Sequence, residues 1–220
     1  MISVITGSLL ADMQIHKKGY VDSIDNLPLN IFLTPAKVEK ASKVLNNNPD
    51  VVASSPRIKF SAMLSKQTSG TRLVAITPDK ESKTCPDLIK RIKGKNESGP
   101  FLKPGEIIVP DLLYKGLSLK LGDEVVIVAT NRDGGAVNGI TLRIARHAEG
   151  VLGPSGKDGY IHHIDDATNL LRMETPEISE IAIRLKEFKY LNRSHEKLNS
   201  DLKGGLFEVH TREQLTPFQR

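Results

Sequence analysis

At 220 residues, 39% of them hydrophobic, the chain is long enough to bury one large core or two smaller ones, and Leu, Ile and Val run through its whole length, which excludes a disordered tail. The longest apolar run, Val125 to Ala129, falls far short of the roughly 18 residues that a membrane span needs, and Met1 to Leu10 carries no positive n-region, so neither a span nor a signal peptide is expected within these residues. The formal net charge of +5 is uneven: residues 86–175 hold 12 Lys and Arg against 12 Asp and Glu, so any acidic partner or anionic lipid surface is to be sought on the outer segments, where the simpler reading of each single residue is a solvated basic surface.

In chain order, Ala11, Met13 and Ile15 alternate with Asp12, Gln14 and His16, the pattern of a half-buried strand. A polar loop is expected around Asp22 to Pro28. Thr34-Pro35 then supplies an N-cap with proline at the first helical position, Val38, Ala41 and Leu45 share one helical face, and the Asn46-Asn47-Asn48-Pro49 run stops the helix. Ile58, Phe60, Ala62 and Leu64 alternate as a strand that returns, after a turn at Gln67 to Gly70, as Leu73 to Ile76.

The single cysteine, Cys85, excludes an internal disulfide framework, and with Pro86 directly after it and no His close in sequence it reads as a buried thiol rather than a nucleophile. Gly105 to Pro110, Leu117 to Leu121, Glu124 to Ala129 and Gly139 to Ala145 read as short β-like runs, two of them joined by an Asp133-Gly134-Gly135 turn. A brief helix follows, with Ile164, Ala167, Leu170 and Leu171 on one face. The first grammar then returns: Ile181, Ile183 and Leu185 as a strand, Phe188, Leu191, His195, Leu198 and Leu202 at helical spacing up to Gly204-Gly205, a strand at Leu206 to His210, and a Thr211/Gln214 capping-box pattern.

Two strand-helix-strand units thus bracket a β-rich middle. The expected fold is α+β: a split unit, residues 1–85 with 176–220, and an inserted, mainly β unit, residues 86–175.

Gly7 to His16 running into Gly19-Tyr20, Gly105-Glu106-Ile107-Ile108-Val109, the Leu119-Lys120-Leu121-Gly122-Asp123-Glu124-Val125 segment and the closing Glu208 to Phe218 resemble the extracytoplasmic domain of MacB, LolC/LolE and FtsX-like ABC-transporter permeases. The resemblance implies a porter-like split α+β subdomain with a β-rich insertion. It implies a domain facing the periplasm or cell exterior of a bacterial inner membrane, set between the first two transmembrane helices of a longer protein. It further implies a non-catalytic role coupling ATP hydrolysis to release or export of lipoproteins or other amphiphilic molecules. The implied partners are a cytoplasmic ATPase subunit or domain, a second permease copy, and a periplasmic carrier or outer-membrane component.

No catalytic, cofactor-binding or metal site emerges from the residues. Gly153-Pro154-Ser155-Gly156-Lys157-Asp158 lacks the Walker spacing and the Ser or Thr after the lysine. His162-His163, Asp165-Asp166, His147 and Asp158 are metal-ligand types at poor spacing, since adjacent strand residues point to opposite faces; Asp165 reads better as a helix cap. His195 reads as a packed histidine on an apolar helix face. The basic charge comes with ten aromatics and no RNA-binding motif or recognition helix, so nucleic acid is not an expected partner. The alternative from another class is a stand-alone binding module for an anionic ligand or nucleic acid.

Overall fold

The computed structural model describes residues 11–65, 71–94, 100–131, 135–149 and 160–215. The first expected strand forms as β1 (Met13–Lys17), but it is not half-buried. Gln14 and His16 are as enclosed as Met13 and Ile15, because both faces of the sheet are covered here. In place of the expected loop, a 3-10 segment, Val21–Asn26, follows the buried Tyr20 and closes on a left-handed Leu27. Helix α1 (Pro35–Asn46) begins where Thr34, in extended backbone, accepts a hydrogen bond from the Lys37 N–H, and it ends in the asparagine run.

Strands β2 (Val51–Leu64) and β3 (Thr71–Ile76) make the expected antiparallel hairpin, from Arg57↔Ile76 to Ala62↔Thr71. Its Gln67 to Gly70 turn lies outside the described residues. Two short helices then appear that periodicity did not announce, α2 (Pro78–Thr84) and α3 (Pro86–Arg91), each with proline in its first turn. The α2 sequence, Pro-Asp-Lys-Glu-Ser-Lys-Thr, has no apolar stripe to read, because the group it buries deepest is charged, Glu81.

The middle contributes β4 (Ile92–Lys93), β5 (Glu106–Pro110), α4 (Asp111–Gly116), β6 (Glu124–Thr130), β7 (Val137–Ala148), β8 (Tyr160–His163) and α5 (Ile164–Leu170). Leu117 to Leu121 is not a strand. The N–H groups of Leu117 and Leu119 bond back to Leu113 and Tyr114, Ser118 is left-handed, and Leu119 alone is buried. The β6–β7 ladder runs in register from Glu124↔Arg143 to Thr130↔Val137, while Asp133 and Gly134 of its expected turn lie outside the described residues. The cap of α5 is His163, whose Nδ1 accepts the Asp165 N–H at 3.3 Å, and not Asp165 itself.

The chain closes with β9 (Glu180–Leu185), a 3-10 turn at Phe188–Tyr190, α6 (Leu191–Asp201) and β10 (Phe207–Thr211). Phe188 does not join the apolar face of α6; it is half-exposed beneath the Arg212 guanidinium. Thr211 and Gln214 do bond reciprocally, backbone N–H to side-chain oxygen at 2.9 and 3.4 Å, although in a turn rather than a helix.

Among the described residues all ten strands belong to one mixed sheet, in the order β10-β1-β9-β2-β3-β8-β5-β7-β4, with β6 paired to both β2 and β7. The strands from residues 1–85 and 176–220 are therefore neighbours, and those from residues 86–175 extend the sheet beyond them. The main core, including Met13, Ile15, Leu45, Phe60, Ile107, Ile183 and Leu198, lies on the face that carries α1, α5 and α6. A second core, with Val74, Ile76, Leu88, Ile108 and Ile161, lies on the other face with α2 and α3.

Candidate functional site

Period-two alternation decides which side chains reach the second face. In β2, Ile58 and Phe60 enter the main core, so Arg57 and Lys59 point the other way; in β9, Ile181 and Ile183 do the same, so Glu180 points with them. The register places Arg57 opposite Glu180, and α2 lays Glu81 across Arg57. The fully buried guanidinium donates Nε and Nη2 to Glu81 at 3.2 and 2.6 Å, Nη1 to Glu180 at 2.8 Å, and Nη2 to the Cys85 sulfur at 3.1 Å. Lys59 Nζ reaches the second Glu180 oxygen at 2.6 Å, and His16 Nε2 stands 3.6 Å from that oxygen, stacked on Tyr20.

The electrostatics of this cluster are those of a closed ion network. Burial works to raise the Glu180 carboxyl, but Lys59, His16 and Arg57 overcome it and hold the group well below the usual carboxylate range. Burial pushes the Cys85 thiol up to about 12 against the pull of Arg57, and burial followed by Glu180 pushes the Tyr20 phenol up. Neither group offers a thiolate or phenolate near neutral pH, so the cluster contains no activated nucleophile and works as an internal tie.

The residues singled out from sequence do not converge. His162 is fully buried edge-on to Phe60, and burial, then the neighbouring His163, drives its imidazole down to about 3. His163 caps α5, and Asp166 accepts the Gly105 N–H at 2.9 Å. His147 stacks on Tyr114 with Nδ1 2.9 Å from Asp111. Among the described residues, no group of three or more His, Cys, Asp or Glu side chains is placed to share a metal ion. His195 Nε2 lies 2.9 Å from the Val209 carbonyl, tying α6 to β10. The Gly153 to Asp158 loop lies outside the described residues. Sequence reasoning did not find the Arg57–Glu81–Glu180 cluster; the available signal was ionisable residues, Arg57, Lys59 and Glu180, at strand positions alternating with Ile58, Phe60, Ile181 and Ile183.

The described ends of the chain meet. Met13 pairs with Thr211 in the antiparallel β1–β10 ladder, so the chain enters along β1 and leaves along β10 at the same end of the sheet. Level with Met13, across Ile183, lies Ser54 at the start of the long β2; the contact of β2 with β6, at Met63 and Leu64, lies at its other end.

No protein-family model and no curated protein sequence matches the chain. Solved structures do. The periplasmic region of MacB from Actinobacillus actinomycetemcomitans superposes with a TM-score of 0.59 at 14% identity, over 95% of this chain and 92% of that one. The extracellular domain of the noncanonic ABC-type transporter YknZ from Gram-positive bacteria gives 0.56 at 12% identity, over 91% and 100%. The chain has the fold of the MacB periplasmic region. Coverage is near complete on both sides, so the likeness extends over nearly the whole chain.

Proposed function

We propose that this chain is the extracytoplasmic domain of a bacterial ABC-transporter permease, a non-catalytic module that couples ATP hydrolysis elsewhere in the complex to movement of a lipoprotein or another amphiphilic cargo. The observation that carries the reading is the pairing of Met13 with Thr211, which brings the described ends of the chain to one end of the sheet in a fold shared with the MacB and YknZ domains. A domain inserted between two membrane helices needs this arrangement, because a few linking residues reach only about 3.5 Å each. The division into a split unit, 1–85 with 176–220, and an inserted unit, 86–175, belongs to the proposal, supported by the contiguity of the outer strands in the sheet. So do the inner-membrane location, a cytoplasmic ATPase partner, a second permease copy and a periplasmic or outer-membrane component.

The test is to express the domain with its native flanking sequence and recover it from detergent-solubilised membranes. Co-purification of an ATPase whose MgATP turnover changes when the domain is deleted supports the reading. Recovery as a free soluble protein without such a partner overturns it. The 220-residue chain alone should give no heat with MgATP in calorimetry, and a micromolar dissociation constant would count against a non-catalytic module.

A further inference from the structure

The charge excess of the outer segments has a structural focus on the face that carries α1. Lys17 and Phe207 are directly paired across the β1–β10 ladder, so their side chains share that face. Lys37 and Lys40, one turn apart on α1, place their ammonium groups 5.9 and 6.0 Å from the Phe207 ring centre, and Lys17 Nζ lies 5.5 Å from that of Phe32. Three cations thus crowd around two aromatic rings. Among the described residues no carboxylate lies within ion-pair distance of any of them: Glu39, the one acid of α1, is engaged by Lys43 at 2.7 Å, and Glu208 accepts the Gly19 N–H from the opposite face of the ladder. Partial burial, then the charge of Lys17, holds the Lys37 ammonium below its usual range, as expected of like charges gathered with nothing between them.

The apolar half of the surface is equally fixed. A Cβ at Gly205 would overlap the Phe207 ring, so glycine is what lets the ring lie against the α6–β10 connection. Beside it, Leu206 is 58% exposed and left-handed (φ 59), while its carbonyl accepts the Lys18 N–H at 2.8 Å. A large apolar side chain is therefore held outward in the connection that leads directly into Phe207. A bare anion would use only the lysines, and an alkane only Leu206 and the rings.

We infer that Lys17, Lys37 and Lys40, gathered around Phe32 and Phe207, with Leu206 next to Phe207 in the chain, form a binding surface for an anionic amphiphile, a phosphate or carboxylate headgroup carrying an alkyl chain. The surface goes beyond the coupling role proposed above and does not depend on it, since it belongs to the chain itself.

The isotope-labelled chain is titrated, by NMR, with dodecyl phosphate below its micelle concentration, with inorganic phosphate, and separately mixed with phosphatidylglycerol vesicles. Expected are amide shifts at Lys17, Lys37, Lys40 and Phe207, and an affinity for dodecyl phosphate at least about tenfold above that for phosphate. K17Q/K37Q/K40Q should weaken dodecyl phosphate by about tenfold or more, K80Q/K83Q on the opposite face should leave it unchanged, and K17R/K37R/K40R should preserve it. Leu206→Asn, which suits the left-handed backbone and keeps the fold, should weaken dodecyl phosphate severalfold without affecting phosphate. Equal affinity for phosphate and dodecyl phosphate, unaltered binding by the glutamine variant, shifts confined to other regions, or association with vesicles alone would each overturn the inference. None of these outcomes bears on membrane attachment or the ATPase, so failure here leaves the transporter reading to its own test.

Discussion

Replacing Arg57 by Met removes one charge from the buried network while keeping most of the side-chain volume. Glu81, fully buried and bonded twice to Arg57, is then left beside Cys85 with its cation gone, whereas Glu180 keeps Lys59 at 2.6 Å. Breaking a buried pair from one side costs about 3–5 kcal/mol. In a chain of this size each kcal/mol lowers Tm by about 2–4 °C, so a fall of roughly 6–20 °C is expected by thermal circular dichroism. The pH dependence is also specified. In the native protein Glu180 is held below its unfolded value, so its contribution is full above about pH 4.5 and fades as pH falls further. Part of that contribution comes from Arg57, so the gap between the two proteins narrows only below about pH 4.5. R57M/E81M, which removes the orphan, should recover at least about half of the loss. A single variant costing under about 1 kcal/mol, or a double variant no better than the single, would refute the tie.

Gly122 has φ 91 with open space where a Cβ would stand, so Gly122→Val is opposed by backbone conformation and should destabilise by about 1 kcal/mol or more in urea unfolding; an unchanged midpoint would contradict this. His162 is buried neutral, so acid favours the unfolded chain from about pH 6.5 downward, by up to about 1.4 kcal/mol per pH unit until its own value near 3. His162→Leu should flatten the stability profile across that window, and an identical slope would show that another group titrates. Asp12 accepts the Leu185 N–H at 2.9 Å where β1 meets β9, so Asp12→Ala should cost about 1 kcal/mol and hasten hydrogen exchange at Leu185, with unchanged exchange counting against the bond.

The elements legible in the sequence are those in which one mechanism dominates. Thr34-Pro35 fixes the start of α1, the alternation from Ile58 to Leu64 fixes β2, and the Thr211/Gln214 pair makes both of its bonds. Misreadings arose where tertiary burial overrode a local pattern. Gln14 and His16 looked like a solvent face because polar residues at alternate positions normally are one; here Tyr20 and Glu180 enclose His16 instead. Leu117 to Leu121 looked like a strand, yet only Leu119 packs inward and the left-handed Ser118 breaks the extension. Helix α2 carried no apolar signal because its buried contact is an ion pair, and the partners of that pair, 24 residues apart, are joined only by the fold. The cationic cluster was visible as a surplus of charge in the outer segments, but its focus on Phe207 depends on β1 pairing with a strand nearly 200 residues away.

The network and the topology together favour rigid-body movement. From Ser54, level with Met13 and Thr211, to Met63, where β6 joins, β2 runs nine residues without interruption, about 30 Å at strand rise. A sheet strand transmits tilt only if it does not flex about its own neighbours, and β2 is held midway along this run: Arg57 ties it to β9 and α2, and Lys59 ties it to β9 again. Under the proposed attachment, a tilt of about 10° imposed at the paired ends would carry the β2–β6 junction through roughly 5 Å, with no hinge needed inside the domain. A network of buried charges suits this better than an apolar contact of equal area, because its geometry is directional and its members cannot slide past one another without exposing an unpaired charge.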